Sequence, residues 1–264
     1  MYKGPLKTAA LLTAIIILLC IVAAAGGFFG ELYRDEEWIE NAFYGTDLVT
    51  LFVVVPMMIA ALVQSLKGSE RARLVWMGLL GYTAYNYAFY LFGAQFNALF
   101  LVYAALFSLS IYALVLVVQA TDIKALSRHF DAHAPRKLVA AFLVLVSLPL
   151  GIFELSQCIG YLFTGKLPEA PPLIFALDLS IIVPTTALAA VLLWQRRPWG
   201  YVLGAIMLVK AFTYGLGLVL STAFVAGFSA SGTWDPLLPF YVFIAAGGLL
   251  SGLALLRHLK PQTS

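Results

Sequence analysis

The sequence predicts an all-α fold, a polytopic transmembrane bundle of eight helices, and three observations carry that expectation. Of 264 residues, 62% are hydrophobic and only 11% charged, with a mean hydropathy of +0.94, whereas soluble domains carry roughly a quarter of their residues charged. The apolar residues fall in runs of about 20, the length a helix needs to cross about 30 Å of hydrocarbon. These runs lack the period-two alternation of a membrane barrel, and open sheet cannot satisfy its backbone in lipid. Residues 1–264 therefore read as a single transmembrane domain, with no length left over for a soluble one.

The first span is expected at 8–29, after Lys3 and Lys7. It has the outline of a secretory signal ending at Ala23-Ala24-Ala25, but its apolar run is long for a signal core, so it is read as a retained span. The acidic stretch 31–43 carries Leu32, Ile39 and Phe43 at helical spacing and reads as a helix lying along the outer surface. Span two, 48–66, follows Asp47 and contains Pro56; span three, 74–94, is rich in tyrosine; span four covers 98–119. A basic loop, 121–137, holds His129 and His133, which share a helical face but lack a third metal ligand. Span five, 138–164, contains Pro149, Glu154 and Cys158; span six, 173–195, contains Asp178 and Pro184. Spans seven and eight, 200–228 and 237–257, carry Gly200-x-x-x-Gly204 and Gly248-x-x-x-Gly252, a spacing that lets helices approach closely. Cys20 and Cys158 lie inside spans and read as small apolar residues rather than as a disulfide.

Counting Lys and Arg between spans sets the orientation. Lys3, Lys7, Lys67, Arg71, Arg73, Lys124, Arg128, Arg136, Lys137, Arg196, Arg197, Arg257 and Lys260 fall on one side, and only Arg34 and Lys166 on the other. Both termini are thus expected in the cytoplasm, and the net charge of +3 is a topological signal rather than a nucleic-acid one. The acids Glu31, Asp35, Glu36, Glu37, Glu40, Asp47, Glu169 and Asp235 lie outside.

The first four spans also align with the last four. Asp47-Leu48 with Pro56 is set against Asp178-Leu179 with Pro184. Asn86 lies thirteen residues after Arg73, as Lys210 does after Arg197, and in the same register Tyr90 meets Tyr214 and Gly93 meets Gly217. This predicts two parallel repeats, 1–120 and 138–259, joined by the cytoplasmic loop 121–137, with a site at their interface.

Ionisable side chains in hydrocarbon cost about 2.5–3.5 kcal/mol on insertion scales, so each needs a partner or a watery cavity. Within the spans these are Glu154, Asp178 and Lys210. Lys210 is expected near mid-membrane and paired with Asp178, with Glu154 as second choice. Gln157 shares a helical face with Glu154, Tyr214 lies one turn beyond Lys210, and Tyr82, Asn86, Tyr90 and Asn97 form one stripe. With Asp47 these describe an outward-facing pocket for a small molecule or a lipid headgroup. The expected ligand-binding set is Asp47, Asn86, Tyr90, Asn97, Glu154, Gln157, Asp178, Lys210 and Tyr214.

No hydrolase elbow, zinc-protease motif, P-loop or dinucleotide fingerprint is present. The leading function is binding or transport of a small molecule. The alternatives are a membrane enzyme acting on a lipid or isoprenoid through a buried carboxylate, and a non-catalytic scaffold subunit. Apart from such a ligand the expected partner is the lipid bilayer. No metal, cofactor or nucleic acid is implied, and nothing in the sequence sets an oligomeric state.

The strings YGTDLVTL (Tyr44 to Leu51), YNYAFYLFG (Tyr85 to Gly93), FNALFLVY (Phe96 to Tyr103) and RRPWGYVLG (Arg196 to Gly204), with Lys210, resemble uncharacterised multi-span bacterial integral membrane proteins. The resemblance implies a bacterial inner membrane and no particular activity. A lysine in a seventh span is also where rhodopsins hold retinal. Here span three offers Asn86 in place of an acidic counterion, and the residues around Lys210 match neither rhodopsin class, so no retinal is expected.

Overall fold

A computed structural model describes residues 3–168, 170–228 and 234–260; Glu169 and the side chain of Lys3, both counted above, lie outside the described set. The first helix, α1 (Lys3–Gly30), ends in a glycine, and Glu31 turns the chain with φ of 49°. Helix α2 (Glu37–Val49) begins with Glu37 and Glu40, whose charges suit a helix N-terminus. It runs through a π turn (Thr50–Val54) into α3 (Val55–Leu66). The stretch expected to lie flat on the surface therefore starts the membrane helix: Phe43 is buried and stacks on Tyr90 at 4.5 Å, which draws α2 inward instead of along the interface.

Helix α4 (Glu70–Gly93) is capped by Ser69, whose Oγ accepts from the Ala72 amide at 3.2 Å. After α5 (Phe100–Gln119) comes the short α6 (Ile123–Arg128), capped by Asp122. Helix α7 (Arg136–Thr164) continues through Pro149 and stops at Gly165, which is left-handed with φ of 67°. Then α8 (Pro172–Leu177) passes through a second π turn (Asp178–Ile182) into α9 (Val183–Trp194), followed by α10 (Pro198–Phe228) and α11 (Leu238–Leu256).

Both π turns end just before a Val-Pro pair, Val55-Pro56 and Val183-Pro184. A proline ring clashes with the carbonyl four residues earlier and offers it no donor, and the wider turn absorbs that conflict. Thr50 and Asp178 hold the same place in the two turns, three residues away from the expected match of Asp47 with Asp178.

Among the described residues seven helices are long and apolar enough to cross a membrane: Gly4–Gly30, Ile39–Leu66, Phe100–Gln119, Arg136–Thr164, Pro172–Trp194, Pro198–Gly227 and Leu238–Leu256. Helix α4, expected as span three, is not one of them. It carries Glu70, Arg71, Arg73 and four tyrosines, and it faces protein rather than lipid: Trp76, Met77, Leu79, Leu80 and Tyr82 are fully buried. The outer helices present Leu11, Leu18, Leu101 and Phe163 outward instead, the apolar surface a bilayer solvates.

Packing centres on α4 and α10, which lie side by side. Helix α4 also contacts α3 and α5, while α10 contacts α9 and α11; α1 packs on α5 and α2, and α7 on α9 and α11. Gly45 lets α2 reach the α10 backbone at Leu220 and Ser221, and Gly248 brings α11 onto the α10 backbone at Phe212. On the basic face, Arg71 Nε donates to the Leu259 carbonyl at 2.7 Å, Glu70 meets His129 at 2.7 Å, and the Lys260 amide donates to the His129 carbonyl at 3.0 Å. His133 turns to Asp131 instead, so the two histidines serve different carboxylates.

Candidate functional site

The second π turn opens with a buried carboxyl. Asp178, only 7% exposed, accepts a hydrogen bond from the Tyr85 hydroxyl of α4 at 2.6 Å. Lys210 lies twelve residues into α10, about 18 Å along the helix at 1.5 Å per residue. Its Nζ sits 3.7 Å from the centre of the Tyr85 ring and 4.4 Å from that of Tyr214. The expected ion pair with Asp178 or Glu154 does not form: among the described residues no carboxylate oxygen comes within 4.0 Å of Lys210, and the ion pairs all lie on the basic face. Tyr85 explains this. Its hydroxyl occupies Asp178, and its electron-rich ring face supports the ammonium in the carboxylate's place.

Glu154, 3% exposed, completes the cluster from α7. Its Oε2 is buried without a donor of its own, and its carboxyl is hydrogen-bonded to that of Asp178. A buried acceptor left unsatisfied costs about 1–3 kcal/mol, so such an atom calls for an explanation.

The three charged groups are among the residues that line a cavity of about 490 Å³ between α7, the α8–α9 span, α10 and α11. Tyr214, Tyr241 and Thr186 add hydroxyls to the lining, and the walls are otherwise apolar, with Phe153, Phe175, Phe240 and Ile244 prominent. Helix α7 meets α11 where Phe142 packs against Gly247 and lies 5.5 Å from Phe243. A mainly apolar chamber with a few convergent polar groups is the usual form of a small-molecule site, and this volume falls within the usual range of about 300–1,000 Å³.

The cavity lies inside the second half of the chain, not between the halves as expected. Four of the nine expected ligand-binding residues, Glu154, Asp178, Lys210 and Tyr214, line it. Asp47 and Tyr90 belong to a separate, closed cluster. Asp47 Oδ2 accepts from Tyr33 at 2.5 Å and Oδ1 from Tyr90 at 3.2 Å, while Thr46 Oγ1 bonds the Tyr90 hydroxyl at 2.7 Å. Gly27 of α1 closes over this group: a β-carbon there would run into the Tyr33 hydroxyl and Asp47 Oδ2. Asn86 is buried in α4 away from the cavity lining, and Gln157 is exposed on the outside of α7. Asn97 shapes the turn before α5, its Oδ1 accepting from the Leu99 amide at 2.9 Å.

Tyr85, Tyr33, Thr186 and Tyr241 were not among the expected residues. Tyr85 is adjacent to Asn86 and so lies off the stripe on which Asn86 and Tyr90 align. Because α4 is buried on several sides, no single stripe identifies its working face. Compared with protein families, curated proteins and solved structures, the chain matches no family model, no curated protein and no solved structure.

Proposed function

We propose that this protein binds a small amphiphile, either a small molecule with an apolar body or a lipid entering by its headgroup, in the chamber between α7 and α11. The observation that carries this reading is the meeting of Glu154, Asp178 and Lys210 in the lining of a mainly apolar cavity of about 490 Å³. Charges buried in a membrane bundle are expensive and usually mark a ligand or ion site. The test is a panel of amphiphiles added to the purified protein while thermal unfolding is followed. A ligand should raise the midpoint, and Asp178→Asn should weaken that effect; a panel without a single hit argues for a scaffold subunit instead.

Within this reading α4 is an eighth span, shielded from lipid by its neighbours, which its length of 24 residues supports. The halves are parallel repeats. Matching neighbours around α4 and α10, and π turns before both Val-Pro pairs, support this, with Thr50 the counterpart of Asp178. The concentration of Lys and Arg in alternate connections supports a bacterial inner membrane location with both termini in the cytoplasm. Transport across that membrane is the natural use of such a site.

A second reading is a membrane enzyme acting on a lipid or isoprenoid, favoured by the pair of carboxyls, Glu154 and Asp178, in the cavity lining, a group able to exchange a proton with a bound substrate. Product formation abolished by Glu154→Gln would support it; binding without turnover would exclude it.

A further inference from the structure

We infer that an anionic phospholipid seats one acyl chain in the groove between α7 and α9 on the outside of the bundle, with its head among Lys137, Arg196 and Arg197. The groove is separate from the chamber proposed above, and its occupancy does not depend on that reading. Its volume is about 470 Å³. Ala140 and Ala190, both buried, form its floor, and Leu145, Leu148 and Val191, each at least half exposed, form its walls. From Ala140 to Pro149 it follows nine residues of α7, about 14 Å at 1.5 Å per residue, close to one leaflet's half of a hydrocarbon core of about 30 Å. A chain lying over the small alanines touches protein on more than one side, which a flat helix surface does not allow.

The other end of the groove is bounded by Trp194 and Gln195. Lys137 stands on the same α7 face, four, eight and eleven residues before Ala141, Leu145 and Leu148, and its Nζ lies 5.4 Å from the centre of the Trp194 ring. Tryptophan and lysine side by side suit the headgroup level of a bilayer. Arg196 and Arg197 follow Gln195 directly and are exposed. None of the ion pairs among the described residues involves these three bases, so their charge is left for an anionic head, as in other basic pockets between spans.

The backbone at Arg196 points the same way. Helices α3 and α9 end in the same pair of capping hydrogen bonds: the Gly68 and Ser69 amides donate to Ser65 and Gln64 in one, the Arg196 and Arg197 amides to Leu193 and Leu192 in the other. The residue at the bend is left-handed in both, with φ of 98° at Gly68 and 59° at Arg196. Glycine adopts this conformation freely, whereas a side chain is strained there. The second half of the chain keeps an arginine where the first uses glycine, a strain that a guanidinium needed at the groove explains.

The experiment reconstitutes the full chain in phosphatidylcholine vesicles and replaces part of the lipid with phosphatidylglycerol or phosphatidylcholine brominated along the chain, whose bromines quench nearby tryptophan. Subtracting the signal of Trp194→Phe leaves the quenching at the groove. There phosphatidylglycerol should be preferred about fivefold or more, the effect of one basic residue near an anionic head. Arg196→Gly should at least halve that preference while leaving the unfolding midpoint unchanged or higher, a separation that a merely structural arginine would not give. Lys137→Gln should lower the preference likewise. Ala141→Phe fills the groove and should abolish it, whereas a general attraction of anionic lipid to the basic face would survive. Equal quenching by the two lipids in the unaltered protein, or a preference that survives Ala141→Phe, overturns the inference. So does a preference untouched by Arg196→Gly and Lys137→Gln together.

Discussion

Tyr85 holds two partners with two different parts of its side chain, and substitutions can separate them. Tyr85→Phe removes the hydroxyl that donates to Asp178 at 2.6 Å but keeps the ring beneath Lys210. Interhelical hydrogen bonds in membrane proteins average about 0.6 kcal/mol. Here the acceptor is a buried carboxyl, for which about 1.5–3 kcal/mol is the appropriate range, so the larger figure should be observed. Tyr85→Leu removes the ring as well, and a desolvated cation–π contact is worth about 2 kcal/mol, so its total loss should exceed that of Tyr85→Phe by about that amount. The assay is reversible unfolding in mixed micelles, arranged as double-mutant cycles with Lys210→Met. Tyr85→Leu and Lys210→Met should couple by about 1–2 kcal/mol, whereas Tyr85→Phe and Lys210→Met should couple by no more than about 0.5 kcal/mol. Equal coupling in the two cycles would mean that the ammonium is held through the hydroxyl and Asp178, and would refute the ring-face account.

Gly45→Ala should destabilise by about 1–3 kcal/mol through overlap with the α10 backbone at Ser221, while Gly160→Ala, with nothing within 4 Å, should be neutral or slightly stabilising; unfolding free energies check the pair. Tyr33→Phe removes a donor from buried Asp47 and should cost about 1–3 kcal/mol, with faster proteolysis of the 31–36 loop as the readout. Asp131 accepts from the backbone amide and ring of His133 and pairs with Lys260 at 3.1 Å, contacts that hold its carboxyl well below the usual range. Because the folded value is the depressed one, its contribution is complete above the ordinary aspartate value of about 3.9 and fades as pH falls below it. Hydrogen exchange of residues 257–260 should therefore be flat from neutral pH down to about 5 after correction for intrinsic rates and quicken below about 4, and Asp131→Asn should remove that pH dependence.

The helices were legible because hydropathy and proline position are local properties. Span five, expected at 138–164, is Arg136–Thr164, and span six, expected at 173–195, is Pro172–Trp194. The glycine pairs also follow the local pattern: Gly248 meets the α10 backbone, and Gly200 meets α9 at Leu193. The fate of the polar residues depends on neighbours that sequence spacing does not reveal. Spacing sets Asn97 on the α4 stripe, but the helix ends at Gly93 and Asn97 forms a turn instead. Asp47 and Asp178 looked equivalent, yet Tyr33 arrives from a loop to close over one, while the other borders a cavity. Charge complementarity, which is easily read, points Lys210 to a carboxylate; the aromatic faces that hold it depend on how α4 is rotated against α10.

The most direct test of a ligand chamber within the second half is an experimental density map of the protein in lipid nanodiscs, without added ligand and then with the amphiphile that most raises the unfolding midpoint. The account predicts elongated non-protein density between α7 and α11 in the second map, its polar end beside Glu154, Asp178 and Lys210 and its chain along Phe153 and Phe175. A chamber closed by those phenylalanines in both maps, with Glu154 bonded only to protein, would contradict it.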